Sequence, residues 1–480
     1  MAKPKPKANS KQQLLSLLWH RMPFAVGVVA FLAYMWLYQQ QQQHQHQLLI
    51  EHDDDQTRVI AEFEDWFVQQ GGWMTPRVSL VTSNQYQGNG LRTSGNIIQG
   101  YRLLEIPMEL VLTQKTIMVT TQKYAALLRP QSYKIANEAI QRHLFDPLDQ
   151  QDVWIAIQLM LECAKGDTSL WYPYRNVLPT STSNNNNNNS VPRLATFSDA
   201  ELQLLQDDDM ANYGKFQRDA LTKVWNGVIK SEVIQPSSAD DADNNNDCLT
   251  EESFYHHVGL SASRAMILDE IKYLVPMAEM INHANRPRED DDYETTKFQS
   301  YHKIENGKLM VYADRDFFPG DEVVEEYGKL DNTLYLTSFG FIPKDNVHHC
   351  VMLPLPNNNN NKASSSVCIH RDGSALGDDN QQLRMSVCTS TKEECAARRN
   401  HNNTPEREAR EVQVYLRQAA HAKLAASQTT VQEDEALLAE LEQQSTKDDD
   451  NWRGMNRNRA RLALQFRTEE KKLLMHLTEK

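Results

Sequence analysis

Two stretches of this chain put side chains capable of chemistry close together. Leu274 to Ala284, LVPMAEMINHA, runs an apolar segment into a carboxylate, Glu279, and then sets Asn282 beside His283. Apolar residues ending in groups that donate and accept hydrogen bonds suit the floor of a pocket. An Asn-His pair suits a helix cap or a satisfied surface turn equally well. The second stretch, Phe318 to Phe341, reads FPGDEVVEEYGKLDNTLYLTSFGF. It opens on a Pro-Gly-Asp turn, passes through a short strand to Tyr327-Gly328, and becomes helix-like before Phe339-Gly340-Phe341. Two lesser signals are Gly88-Asn89-Gly90-Leu91 and Ser263-Arg264. Glycines flanking one residue let a turn approach a ligand with its backbone groups outward, or build an ordinary hairpin. An Arg near a helix end is most often paired or solvated on the surface.

The elements that must position these residues follow from periodicity. Ala61 to Trp73 carries Phe63, Trp66 and Phe67 at helical spacing, and Val78 to Pro107 alternates apolar and polar residues. From about Leu110 to Thr250 the pattern is helical, with periodic runs at Asp152 to Cys163 and Phe197 to Ile229. Trp171-Tyr172-Pro173-Tyr174, followed by Leu178-Pro179, reads as a packed aromatic loop. Asn184 to Asn189 and Asp240 to Asp247 are low-complexity loops. Thr250 caps a helix that runs to about Ile267. Past Asn357 to Asn361 a polar stretch precedes helices at Glu406 to Leu424, Asp434 to Gln444 and Arg459 to Leu477.

Composition bounds what the chain does. A formal net charge of −14 argues against nucleic-acid binding, which needs a dense basic face. Six cysteines show no C-x-x-C pair, so no structural zinc is expected, and they leave the redox compartment unread. Lys3, Lys5, Lys7, Lys11 and Arg21 precede Met22 to Tyr38, a run of 17 residues without charge that ends in interface-favouring Trp36 and Tyr38. It reads as a single membrane anchor with its amino terminus cytosolic, and a targeting segment cleaved for the secretory pathway or a plastid is the rival. The Gln39 to Gln47 tract behind it is a linker.

Taken in order, these motifs resemble the SET-domain protein methyltransferases, in the branch of the Rubisco large-subunit lysine methyltransferase and the actin-histidine methyltransferase. In that branch P-x-A-[DE]-x-x-N-H and a later Tyr-Gly cross as a pseudoknot. The resemblance implies an α+β SET fold of short β-sheets with a helical insert, followed by an all-α substrate-binding domain. The expected layout is 1–55 for basic terminus, membrane segment (22–38) and linker, 56–355 for the SET domain with its insert at about 110–250, 356–400 for a low-complexity linker, and 401–480 for the helical domain. It further implies S-adenosylmethionine as cofactor, a protein as partner, and no metal. Gly88, Asn89, Gly90, Leu91, Arg264, Glu279, Asn282 and His283 would hold the cofactor, with Arg264 on its carboxylate. Tyr327 would be catalytic, and Phe339 and Phe341 would wall the acceptor channel. Glu279 stands where Asp is usual, Gln87 where Glu is frequent, and Glu326 where Ser is common. Met266, in place of a polar residue, favours lysine over histidine as acceptor. A SET-fold binding protein without turnover is the alternative of a different class.

Overall fold

The computed structural model describes residues 56–83, 88–116, 132–144, 146–179, 193–233, 246–284, 301–355, 366–375, 405–443 and 451–479. The expected membrane segment at 22–38 lies outside them, as does Gln87. Among the described residues no helix is long and apolar enough to cross a membrane. Residues 1–62 and 63–480 form separate units. The first is described only as the opening turns of a helix, α1 (56–69), and everything below belongs to the second.

Two four-stranded sheets carry the site. One orders β1 (Trp73–Met74), β4 (Arg102–Pro107), β9 (Lys308–Tyr312) and β8 (His302–Glu305), all antiparallel. The other orders β2 (Val78–Ser83), β3 (Gly88–Thr93), β10 (Glu322–Glu325) and β7 (Asn282–His283). β10 runs antiparallel to β3 and parallel to β7, with Val324 opposite Asn282 and Glu325 opposite His283. That parallel pair is the expected crossing. A small hairpin of β5 (Met266–Leu268) and β6 (Ile271–Tyr273) leads into it.

The helical insert matches its periodicity. It contains α2 (Ser132–His143), α3 (Pro147–Ala164), α4 (Asp208–Val224) and α5 (Glu251–Arg264), packed through Trp154, Ile157, Met160, Leu221, Phe254 and Val258. The Thr250 hydroxyl accepts from the Ser253 N–H at 3.1 Å, satisfying one open donor of α5 as the sequence predicts.

The carboxyl-terminal region departs from expectation. The helices are present as α6 (Pro405–Ala426), α7 (Val431–Gln443) and α8 (Arg457–Glu479), but the region is not all-α. Part of the stretch read as linker forms β12 (Ser366–His370), paired with β11 (Cys350–Pro354) and packed on Leu416, Ala420, Leu473 and Leu474. The alternation SVCIH buries Val367 and Ile369, a five-residue signal that the polar tracts on either side hide. A second hairpin, β13 (Asn451–Trp452) and β14 (Met455–Asn456), precedes α8.

Cysteines resolve as disulfides: Cys163 to Cys248 and Cys350 to Cys368, with Cα separations of 5.6 and 5.4 Å. Cys388 and Cys395 lie outside the described residues.

Glu470 on α8 is a buried carboxylate facing Lys423 Nζ at 3.4 Å and His349 Nε2 at 3.6 Å, with Asp207 and Asp331 also near. Burial pushes its pKa up to about 7 against the pull of Lys423, while burial lowers His349 to about 4. A carboxyl raised on folding stabilises below its unfolded pKa and loses that contribution as pH rises through its folded one. A histidine lowered on folding gains stability as pH rises to about a unit above its unfolded value, so between pH 6.5 and 8 the last of that gain is smaller than the loss from Glu470. We expect stability to fall between pH 6.5 and 8, and Glu470→Gln to flatten the fall by roughly 1 kcal/mol. Thermal unfolding at the two pH values reads this directly.

Candidate active site

The site forms where β3, β7 and β10 meet. Gly88 and Gly90 are not in a turn. They begin β3, opposite Ser83 and Val81, so the glycine spacing marks a strand that other groups approach closely. A Cβ on Gly90 would lie 2.7 Å from Glu322 Oε1 and 3.1 Å from Asn282 Nδ2. Those two atoms are themselves hydrogen-bonded at 2.6 Å, and Asn282 Nδ2 also donates to the Asn89 carbonyl at 3.3 Å. One amide thus joins the three strands. Leu91, fully buried opposite Val323, anchors the strand pair beneath.

His283 and Tyr327 lie together as the crossing requires. The Tyr327 N–H donates to His283 Nδ1 at 3.2 Å, which leaves the proton of a neutral ring on Nε2. The Tyr327 hydroxyl donates to the Ile281 carbonyl at 2.8 Å. Burial first, then the nearby carboxylate of Glu325, hold the Tyr327 phenol far above its ordinary pKa. It is therefore a neutral hydrogen-bonding group, not a base.

Phe339 and Phe341 join the same cluster. Ring centroids lie 5.1 Å apart for Tyr327 and Phe339 and 5.7 Å for His283 and Phe341. Gly340 between them adopts φ +73°, the left-handed conformation that ends the helical turn and sends the chain back past its own last ring. Both phenylalanines are partly exposed, so the aromatic wall opens outward. Tyr335, which the sequence reading passed over, is the hub: 4.8 Å from His283, 5.8 Å from Phe339 and 5.3 Å from Phe341, with its hydroxyl donating to the Gly328 carbonyl at 2.9 Å. Its signal was the i, i+4 spacing with Phe339. Glu326 points inward, buried, 3.7 Å from His348 Nε2 and close enough to Tyr335 to raise that phenol further after burial.

At the other end of the site Arg264, the last residue of α5, does not stand free to meet a ligand. Its Nη1 donates to Glu279 Oε2 at 2.5 Å, and the Glu279 side chain is fully buried. Burial works against the guanidinium charge, but the Glu279 carboxylate more than offsets it and the Arg264 pKa is raised. Glu279 sits on a short turn entered through Met277, a buried non-glycine at φ +72°. Such a conformation costs of order 1–3 kcal/mol and persists where surroundings over-determine it, as active sites do. Tyr174 is the second residue missed, and it lies not in a packed loop but in a short helix, Tyr172–Val177. It is fully buried against Phe63 and Trp66, and its hydroxyl faces Glu279. Asn89 Oδ1, Tyr174 Oη, Arg264 Nε and Glu279 Oε1 are all buried without a hydrogen-bond partner at normal geometry. With Tyr174 facing the Glu279 carboxylate, an acceptor on Asn89 and a donor on Arg264 are left able to meet the ammonium and carboxylate of a bound amino acid. Met266 is buried in β5, opposite Tyr273.

Comparison with known proteins agrees with this geometry. A family model described as Rubisco LSMT substrate-binding matches residues 378–474. Protein SET DOMAIN GROUP 40 of Arabidopsis thaliana is 23% identical over 321 residues, 60% of this chain and 57% of that relative, so the match spans little more than half of the relative's length. Among solved structures, the SET domain of LSMT bound to lysine and AdoHcy superposes with a TM-score of 0.58 at 17% identity, covering 88% of this chain and 90% of that one. Rubisco LSMT bound to AdoMet gives 0.55 at 17% identity, covering 88% and 91%. The crossing, the insert and the carboxyl-terminal region share the fold of the Rubisco LSMT structures, and residues 378–474 are similar to the LSMT substrate-binding family.

Gly90→Ala forces Glu322 and Asn282 apart and should destabilise the chain by roughly 1–3 kcal/mol. Combining it with Glu322→Ala should recover part of the loss. Strict additivity in a double-mutant unfolding cycle would show that the two do not share the crossing.

Proposed function

We propose that this chain is an S-adenosylmethionine-dependent protein methyltransferase that methylates the side-chain nitrogen of a lysine in a protein substrate. The observation that carries the reading is the pairing of two features across Tyr327: an aromatic-walled opening on one side, and unpartnered donors and acceptors suited to an amino-acid end on the other. Support also comes from the ligands of the structural relatives, AdoMet in one and lysine with AdoHcy in the other.

When bound, S-adenosylmethionine supplies a methyl group on a positively charged sulfur. The chain's own residues do the rest. The backbone of β3 and β7, at Asn282 and His283, with Asn89, Arg264 and Glu279, would hold the donor. Phe339, Phe341 and Tyr335 wall a slot for the four-carbon stem of lysine, which tolerates apolar surroundings while its nitrogen reaches the floor. Desolvation there, next to a positive sulfur, disfavours the ammonium and helps release its proton. Tyr327 stays protonated and orients the reacting groups by hydrogen bonding, so transfer is an in-line displacement organised by position and exclusion of water. A histidine acceptor would need a partner for its second ring nitrogen, and Met266 supplies none.

The domain would act tethered by the 22–38 segment, on the oxidising side of its membrane. The Cys163–Cys248 and Cys350–Cys368 bonds support this placement, since such bonds persist outside the reducing cytosol. Peptide mapping of protein from its native membrane without reductant should recover both linked pairs, and free thiols at all four positions would refute it.

Radiolabelled methyl transfer into a proteome, with mass spectrometry of the labelled residue, tests the activity. Label on lysine is expected; label on histidine or none at all defeats the proposal. Tyr327→Phe should lower kcat by about 100-fold or more while donor affinity changes less than about threefold. Calorimetry and single-turnover assays separate the two.

A further inference from the structure

Tyr174 is difficult to explain as packing alone. Its ring lies 5.7 Å from Phe63 and 6.4 Å from Trp66, contacts that a phenylalanine would make equally well. A phenylalanine would also avoid burying a hydroxyl, which costs about 1–3 kcal/mol when no partner meets it. Yet the Tyr174 oxygen is buried and faces the Glu279 carboxylate, one oxygen of which, Oε1, has no partner at normal geometry either. The other oxygen of Glu279 is committed to Arg264. A carboxylate held by one oxygen pivots about that bond. A donor on the second oxygen stops the pivot and fixes the plane of the guanidinium behind it.

We infer that Tyr174 is a positioning residue of the methyl-donor site, acting through Glu279 to set the direction in which Arg264 meets the donor's carboxylate. The inference rests on the proposed methyltransferase reading and adds to it a residue from the helical insert. Burial, and Glu279 after it, raise the Tyr174 pKa, so the hydroxyl is a donor throughout the physiological range. Glu279 in place of the shorter Asp fits the same arrangement, since the extra methylene carries the carboxylate between Arg264 and Tyr174.

The test compares S-adenosylmethionine with its decarboxylated analogue, using the full chain. The wild type should prefer the carboxylated ligand. In Tyr174→Phe that preference should shrink roughly tenfold, about the value of one charge-assisted hydrogen bond. The KM for S-adenosylmethionine should rise by a similar factor, with kcat within about twofold. A residue that only packs would lower the melting temperature and leave the preference unchanged, and that result overturns the inference while sparing the activity. Should Tyr174→Phe fail to fold, Glu279→Gln must show the same collapse of preference, and a preserved preference there also refutes it. Failure of the wild type to bind either ligand removes the methyltransferase reading itself, and the inference with it.

Discussion

One side-chain amide closes the crossing on which the site depends. Asn282 Nδ2 reaches the Asn89 carbonyl on one strand and the Glu322 carboxylate on another, and Gly90 leaves room for both. Backbone pairing alone would let β7 slide along β10, since each offers few residues. The amide pins the register, because its two acceptors come from strands far apart in the chain. With the register set, His283 must pack against Tyr327, and Tyr327 must lie between the polar end of the site and its aromatic wall.

The surrounding domains serve that arrangement from two sides. The insert supplies α5, whose last residue is Arg264, and the short helix bearing Tyr174. The carboxyl-terminal helix α8 packs Leu462, Ala463 and Phe466 against Leu336, the neighbour of Tyr335, and against Leu194, Phe197 and Leu202 of the insert. Asp331 caps the turn that carries Tyr335 and Phe339, accepting from the Leu334 N–H at 2.8 Å. The segment behind it is tied back by Asn346, which donates to the Leu330 carbonyl at 2.9 Å. The aromatic wall is thus held at its start by a cap and at its end by a side chain from beyond Phe341.

Much of this was legible in the sequence where a motif combines residue type with spacing. The Asn282-His283 step, Tyr327 and the three final helices stand where periodicity and motif put them, whereas the helix expected to run from Thr250 to about Ile267 ends at Arg264 and gives way to β5. What escaped was of another kind. Tyr174 reads as packing because its ring does pack, and only the third dimension shows what the hydroxyl faces. The partner of Arg264 escapes because a linear pattern does not reveal that Glu279, fifteen residues on, is its ion pair. The disulfides join positions 85 and 18 residues apart, separations that carry no local signature. β12 was lost in the low-complexity tracts around it, which dilute a five-residue alternation.

Threading also decides when during synthesis the site can exist. Asn89 meets Asn282 across 193 residues and Tyr327 meets His283 across 44, so no amino-terminal fragment that stops short of β10 can assemble the hollow. Ordering such distant partners exacts its loop-closure entropy before any contact repays it, which makes this corner of the molecule slow to mature. The same geometry is forgiving of length. Once both strands are docked, Ala284 and Tyr301 bound the acidic sequence between them, and lengthening a tract between two held ends adds only logarithmically to the entropy of closure. An evolving genome could therefore expand that tract residue by residue while the chemistry beneath it stayed the same.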